Sequence, residues 1–199
     1  MTLPTPARFL DSVQVPTPEQ ARKLHDAGYQ GWAANLFGDG MPPEYLWTPA
    51  DVKVITDAGF GFLPIATVKW SLDQTGEALA LGVVCAALAC GVQGVVALDT
   101  EFQERGNAKL NPTVDGFVRR VKAMGWEAVI YSGAAYVGPG VQWVPRWSAS
   151  SGTAGPQPVP PPGTAIQYAG GITLEGVLVD LSVSDGVPFC ETLPAVDVL

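Results

Sequence analysis

Histidine is almost missing from this chain: His25 is the single one in 199 residues. A Ser-His-Asp or Cys-His site would have to be built on that residue alone, and a zinc site with several histidines is excluded. His25 sits in "EQARKLHDAG", which reads as an exposed helical segment. Basic residues are scarce as well. Eleven Lys and Arg stand against 19 Asp and Glu, a net charge of −8, so no electrostatic footprint for nucleic acid is expected. The three cysteines, Cys85, Cys90 and Cys190, form no disulfide framework. Cys85 and Cys90 lie five apart in an apparent helix and are expected as buried thiols. No apolar run reaches the ~18–20 residues of a membrane span, because glycines interrupt the longest, "ALALGVVCAALACGVQGVVAL". A phosphate-cradling loop is lacking too, since "AGFGF" has neither the spacing nor the lysine of one. An enzyme of this composition is expected to use carboxylates as its acid and base groups.

What is present is a core and a repeating unit. Hydrophobic residues make up 47% of the chain and charged ones 15%, which fits one globular domain over residues 1–199. The segments "HDAGYQGWAANL", "TDAGFGFLPIATV", "ALACGVQGVVALD" and "KAMGWEAVIYS" each run from helix through a glycine into an apolar strand. Gly28, Gly59, Gly91 and Gly125 suit the position just past a helix end. Helix starts agree: Thr17 opens a capping box with Pro18 at the first helical position, and Thr48, Thr75 and Asn111 read as further caps. Strands are expected near 8–13, 29–35, 60–68, 94–101, 127–132, 141–147, 164–168 and 177–183. Helices are expected at 18–27, 49–58, 76–90 and 112–124. Near-continuous apolar strands alternating with helices point to an α/β fold, a (β/α)8-type, TIM-like barrel with shortened or missing last helices. A doubly wound open sheet is the competing architecture. The Pro/Gly/Ser-rich stretch 148–164 is expected as a loop at one rim, because too few residues follow it for a second domain.

The chemistry lies in "GVVALDTEFQ", where an apolar strand ends in Asp99 and Glu101. Strand alternation predicts that both point the same way, and the C-terminal strand ends of a parallel α/β fold carry the active site. Asp11 in "RFLDSV" and Asp180 in "GVLVDLSV" end two other apolar strands, which are neighbours in a closed barrel. The four acids are therefore expected at one mouth. Tyr131, Trp143, Trp147, Gln167 and Tyr168 are expected on the same rim, where rings stack on sugar faces and amides bond hydroxyls. Trp32, Trp70 and Trp126 are expected to pack, with Lys69 and Trp70 within reach of the cleft.

This pattern resembles the glycoside hydrolase family 25 lysozymes. Asp11, the Asp99-x-Glu101 pair and Asp180 look like that family's acidic set, and "VIYSGAAY", "QWVPRWS" and "AIQYAGG" are similar to its later strands, in order. "DSVQVPTPEQARKLHDAGY" and "GEALALGVVCAALACGV" look closer to a related glycoside-hydrolase-like domain of actinobacteria and their phages. The resemblance implies cleavage of the β-1,4 link between N-acetylmuramic acid and N-acetylglucosamine. It implies Glu101 as general acid, Asp99 as the group assisting the oxocarbenium-like transition state, and Asp11 and Asp180 as tuning charges. No cofactor or metal is implied. The expected partner is peptidoglycan or another glycan, with no nucleic acid and no membrane, and other virion proteins where the chain is part of a phage particle.

"MTLPTPARFLDS" lacks the regions of a signal peptide. The expected location is thus a host cytoplasm until lysis-linked release, or a virion, with action at the cell wall as an endolysin or virion-associated lysin. Two other readings stay open: a non-catalytic structural or glycan-binding barrel of a phage particle, and a divalent metal held by the carboxylates.

Overall fold

The computed structural model describes residues 6–39, 41–68, 74–101, 109–132, 141–145, 152–153, 155–186 and 188–193. The alternation begins with β1 (Ala7–Asp11), α1 (Pro18–Asp26), β2 (Gly31–Asp39), α2 (Pro49–Asp57) and β3 (Gly61–Val68). It continues with α3 (Gly76–Ala89), β4 (Val92–Gln93), β5 (Val95–Asp99), α4 (Leu110–Ala123) and β6 (Glu127–Tyr131). Then come β7 (Val141–Pro145), β8 (Thr164–Leu174), β9 (Val177–Asp185) and β10 (Glu191–Thr192).

Local chemistry sets the helix starts. Thr17 and Thr48 both form capping boxes, with Gln20 and Asp51 reaching back to the cap N–H, and Thr75 accepts from Ala78 N–H at 3.2 Å. Each side chain satisfies backbone donors that a helix end leaves open. Asn111 does not cap: α4 begins two residues earlier than expected, at Leu110, with Lys109 at the cap position and Pro112 inside the first turn. Proline is tolerated there because those N–H groups have no intrahelical acceptor.

Eight strands close a barrel in the order β1-β2-β3-β5-β6-β7-β8-β9, which rules out the open sheet. The sheet is parallel from β1 through β8, but β9 runs antiparallel to both β8 and β1. The expected all-parallel order therefore fails at its last strand. The cause is the connection: only Glu175 and Gly176 separate Leu174 from Val177, both with positive φ (50° and 81°). Two such residues make the tight turn of a hairpin, and a hairpin joins only antiparallel strands.

Two apolar layers hold the barrel. Outside, Val96, Leu98, Ala128 and Ile130 pack with Leu79, Val83, Val114 and Phe117 of α3 and α4. Inside, Phe9 packs against Trp143 (5.2 Å between centroids) and, edge-on, against Phe189 (5.4 Å). Phe189 lies so close to Gly31 that a β-carbon there would stand 2.4 Å from its ring. The segment after Phe189 straps the same end: Cys190 N–H donates to Phe62 O at 2.8 Å, and β10 pairs antiparallel with β4. His25 also belongs to that end, half-buried and edge-on to Phe60, 5.2 Å away. Cys190 is buried as a thiol, whereas Cys85 is exposed and Cys90 only half-buried, contrary to the expectation for that pair.

Candidate active site

The acids gather at the other end of the barrel. Asp11 and Asp180 are directly opposed across the β1–β9 pair, and opposed residues of an antiparallel pair share a face. Asp99, the last residue of β5, is in register with Thr67 of β3 and Tyr131 of β6. Because β9 is reversed, Asp180 reaches this mouth from the first half of its strand rather than from its C-terminal end.

Glu101 arrives differently from the expectation. The strand stops at Asp99, and the Glu101 N–H donates to Asp99 Oδ1 at 2.8 Å. An aspartate accepting from the N–H two residues on closes an Asx turn. Thr100 anchors that turn, with its N–H and its hydroxyl donating to Tyr131 O at 3.0 and 3.1 Å. A bend, not strand alternation, brings the second carboxylate to the mouth.

The remaining polar groups form two short networks. Asp180 Oδ1 accepts from Gly171 N–H at 2.7 Å, and Oδ2 from Gln167 Nε2 at 3.0 Å. The Tyr131 hydroxyl donates to Gln167 Oε1 and lies 3.4 Å from Glu101 Oε1. On the opposite wall the Thr67 hydroxyl donates to Asn35 Oδ1 at 2.6 Å. A cavity of about 300 Å³ opens here, lined by Val13, Asn35, Met41, Tyr45, Thr67, Asp99 and Glu101.

Electrostatics favour protons on these acids. Burial pushes Asp11 well above the usual carboxylate range, and the charges of Asp180, Asp99 and Glu101 push the same way. Asp99 is pushed up to about 7, chiefly by burial, against the opposing bonds from Glu101 N–H and Thr67. Glu101 and Asp180 are raised as well, both mainly by burial. Crowded, desolvated carboxylates oppose one another's ionisation, so some keep a proton near neutrality.

The aromatic residues are placed less as expected. Trp143 is buried inside the barrel, its Nε1–H donating to Ser182 Oγ at 3.2 Å and its ring 4.6 Å from that of Tyr131. It packs there and offers no open face for a sugar. Tyr131 and Gln167 are buried too, at 4% and 2% exposure, and meet the acids through their polar ends. Tyr168 does not join them. It falls where the β8–β9 register shifts, between Gln167 and Ala169, and it is buried in the surroundings of Tyr29 and Arg8. Trp147, Lys69 and Trp70 lie outside the described residues. Trp32 is fully buried, packed on Trp47 and Phe60. Trp126 is half-buried.

Asn35, Thr67, Met41 and Tyr45 were missed by the sequence reading. For Asn35 and Thr67 a signal existed: each is the lone polar residue near the end of an apolar strand, "WAANLF" and "LPIATV". Tyr45, in a short helical turn (Pro43–Tyr45) and 37% exposed, is the described aromatic residue that lines the cavity. Among the described residues no group of three or more His, Cys, Asp or Glu side chains is disposed to hold a metal ion.

No family model matches the sequence, and no curated protein matches it. Solved structures do. A muramidase from Acremonium alcalophilum superposes with a TM-score of 0.62 at 17% identity, over 92% of this chain and 94% of that one. A family 25 glycosyl hydrolase from Bacillus anthracis gives 0.63 at 13% identity, over 91% and 89%. The Tat-secreted protein Rv2525c of Mycobacterium tuberculosis gives 0.60 at 12%, over 88% and 94%. At such identities the likeness is one of fold: the chain has the closed barrel of the family 25 glycoside hydrolases.

Proposed function

We propose that this chain is a peptidoglycan-directed glycoside hydrolase that cleaves the glycan strand as a muramidase does. The observation that carries the reading is the convergence of Asp11, Asp99, Glu101 and Asp180 at one mouth, beside a cavity that Asp99 and Glu101 both line. Glu101 is the most exposed of the four. Standing beyond the strand end with a raised pKa, it is suited to protonate a leaving glycosidic oxygen. Asp99, held by the Glu101 N–H, faces the same space and is suited to stabilise positive charge at the sugar ring or to orient its acetamido group. The charge of Asp180 opposes the loss of Glu101's proton, and Asp11 stands opposite Asp180 across the β1–β9 pair. Tyr45 takes the stacking role expected of Trp143. Action at the cell wall as a phage endolysin or virion-associated lysin is part of the proposal and rests on the sequence resemblance.

The test is release of reducing ends from purified peptidoglycan, actinobacterial walls included, by the wild type and by Glu101→Gln. A positioned general acid contributes roughly 10²–10⁴-fold, and the variant is expected to lose activity on that scale while keeping its fold. No release by the wild type across a broad substrate panel would favour a non-catalytic glycan-binding or structural barrel.

A further inference from the structure

Between the two carboxylates of the turn stands Thr100, which is 1% exposed and does not line the cavity. Its two donors converge on one acceptor, the N–H and the hydroxyl both reaching Tyr131 O at 3.0 and 3.1 Å. The N–H bond continues the β5–β6 ladder, in which Asp99 is in register with Tyr131. The hydroxyl bond is additional. A carbonyl has two lone pairs and takes both donors, so the side chain as well as the backbone of Thr100 is tied to β6.

Tyr131 meets the far side of the same turn. Its hydroxyl lies 3.4 Å from Glu101 Oε1, and its ring is 4% exposed and packed on Trp143. Between these two points the Glu101 N–H donates to Asp99 Oδ1 at 2.8 Å. Glu101 is itself exposed, and among the described residues these bonds are what place it. Only the Thr100 hydroxyl does so without touching either carboxyl.

We propose that Thr100 is a positioning residue for Glu101: its hydroxyl pins the turn to β6 and so holds the Glu101 carboxyl over the cavity. This rests on the reading of Glu101 as the acid. Proton donation depends steeply on placement, and a shift of about 1 Å can cost about 100-fold in rate. A turn held by its backbone bonds alone would let Glu101 swing toward solvent. The groups facing Glu101 are Asp180 from β9, Asp11 from β1, Tyr131 from β6 and Asp99 of its own turn. Burial is the largest influence and raises its pKa, Tyr131 opposes that rise and Asp180 adds to it. Loosening the turn relieves the burial, so the Glu101 midpoint should move down toward the ordinary glutamate value.

The test compares Thr100→Val, which lacks the hydroxyl, with Thr100→Ser, which keeps it. Tyr131 O retains the backbone donor in both, so the fold is expected to survive, as melting temperatures will show. Thr100→Ala, which sets no methyl against the carbonyl, is the parallel variant and should follow Thr100→Val. The first readout is steady-state kinetics on peptidoglycan. The second is the titration midpoint of Glu101, from carbon NMR of protein labelled at the glutamate carboxyl and assigned by loss of the signal in Glu101→Gln. Thr100→Val is expected to lower kcat by about 10–100-fold while KM changes by no more than about twofold. Its Glu101 midpoint should fall by about half to one pH unit. Thr100→Ser should keep both near the wild type. A midpoint that stays put or rises in Thr100→Val overturns the inference, and so does a loss of kcat that serine does not rescue. An active enzyme whose kcat is unchanged in Thr100→Val keeps the hydrolase reading and removes this one. A wild type without turnover removes the hydrolase reading, and the midpoints of the variants then decide by themselves whether Thr100 places Glu101.

Discussion

At one end of the barrel Phe9, Phe189 and Gly31 meet ring to ring and ring to backbone, under a strap formed by Cys190 and β10. At the other end four carboxyls share a mouth, and burial raises the pKa of every one. The apolar floor gains free energy from each contact it makes. The acidic mouth holds groups that would be better solvated in the unfolded chain. Stability and candidate chemistry are thus segregated along one axis, and a loss of stability as pH rises through the carboxylate range should come from the acidic end.

That contrast can be tested from both sides. The largest effect is expected from Phe189→Ala, which leaves a cavity in the floor and should cost about 3–5 kcal/mol. Chemical denaturation should show that loss with the same size at pH 5 and pH 8; a strongly pH-dependent loss would join the two ends. Next is Asp99→Asn. A carboxyl raised to about 7 in the fold binds an extra proton there, relative to the unfolded chain, between about pH 4 and 7. Stability should accordingly fall as pH rises through that window and level off above it. Asparagine removes the Asp99 share of that slope, leaving the part due to Asp11, Glu101 and Asp180. Its gain above pH 7 should be roughly 2–4 kcal/mol, read from melting temperatures across a pH series. An unchanged slope would mean that Asp99 is not what the mouth costs. Gly31→Ala drives a methyl into the Phe189 ring and should cost about 1–3 kcal/mol, partly relieved when combined with Phe189→Leu. The smallest effect belongs to a site outside the contrast: Thr17→Ala removes the α1 cap and should cost about 1 kcal/mol at every pH.

Much of the floor and wall was legible because local chemistry wrote it. A threonine followed by proline at Thr17 and Thr48 leaves the backbone few choices, and the apolar strands after Gly28, Gly59 and Gly125 needed covering on both faces. The three aspartates were legible as acids near the ends of such strands. The turn of the last strand was written in two residues, Glu175 and Gly176, too brief to outweigh seven parallel precedents. Gln167 and Tyr168 part company at an irregularity of the β8–β9 ladder, which leaves Gln167 bonded to Asp180 and Tyr168 beside Tyr29 and Arg8, and nothing in the sequence marks that irregularity. Trp143 was misplaced for another reason. Its residue type suits a sugar cleft and a core equally, and only the partner at Ser182 decides. Asn35 and Thr67 become a pair only once β2 and β3 are set side by side.

The pairing of β1 with β9 also has a kinetic side. These strands lie near opposite ends of the described chain, yet each is the neighbour that completes the other's hydrogen bonding. While the chain is being synthesised, β1 can pair with β2 early, but its far edge stays open until nearly everything else has emerged. An open edge is a template for strands of other chains, and contacts this distant in sequence form slowly. Asp11 lies on that edge, opposite Asp180, so the acidic mouth is assembled by the same late event that removes the hazard of aggregation.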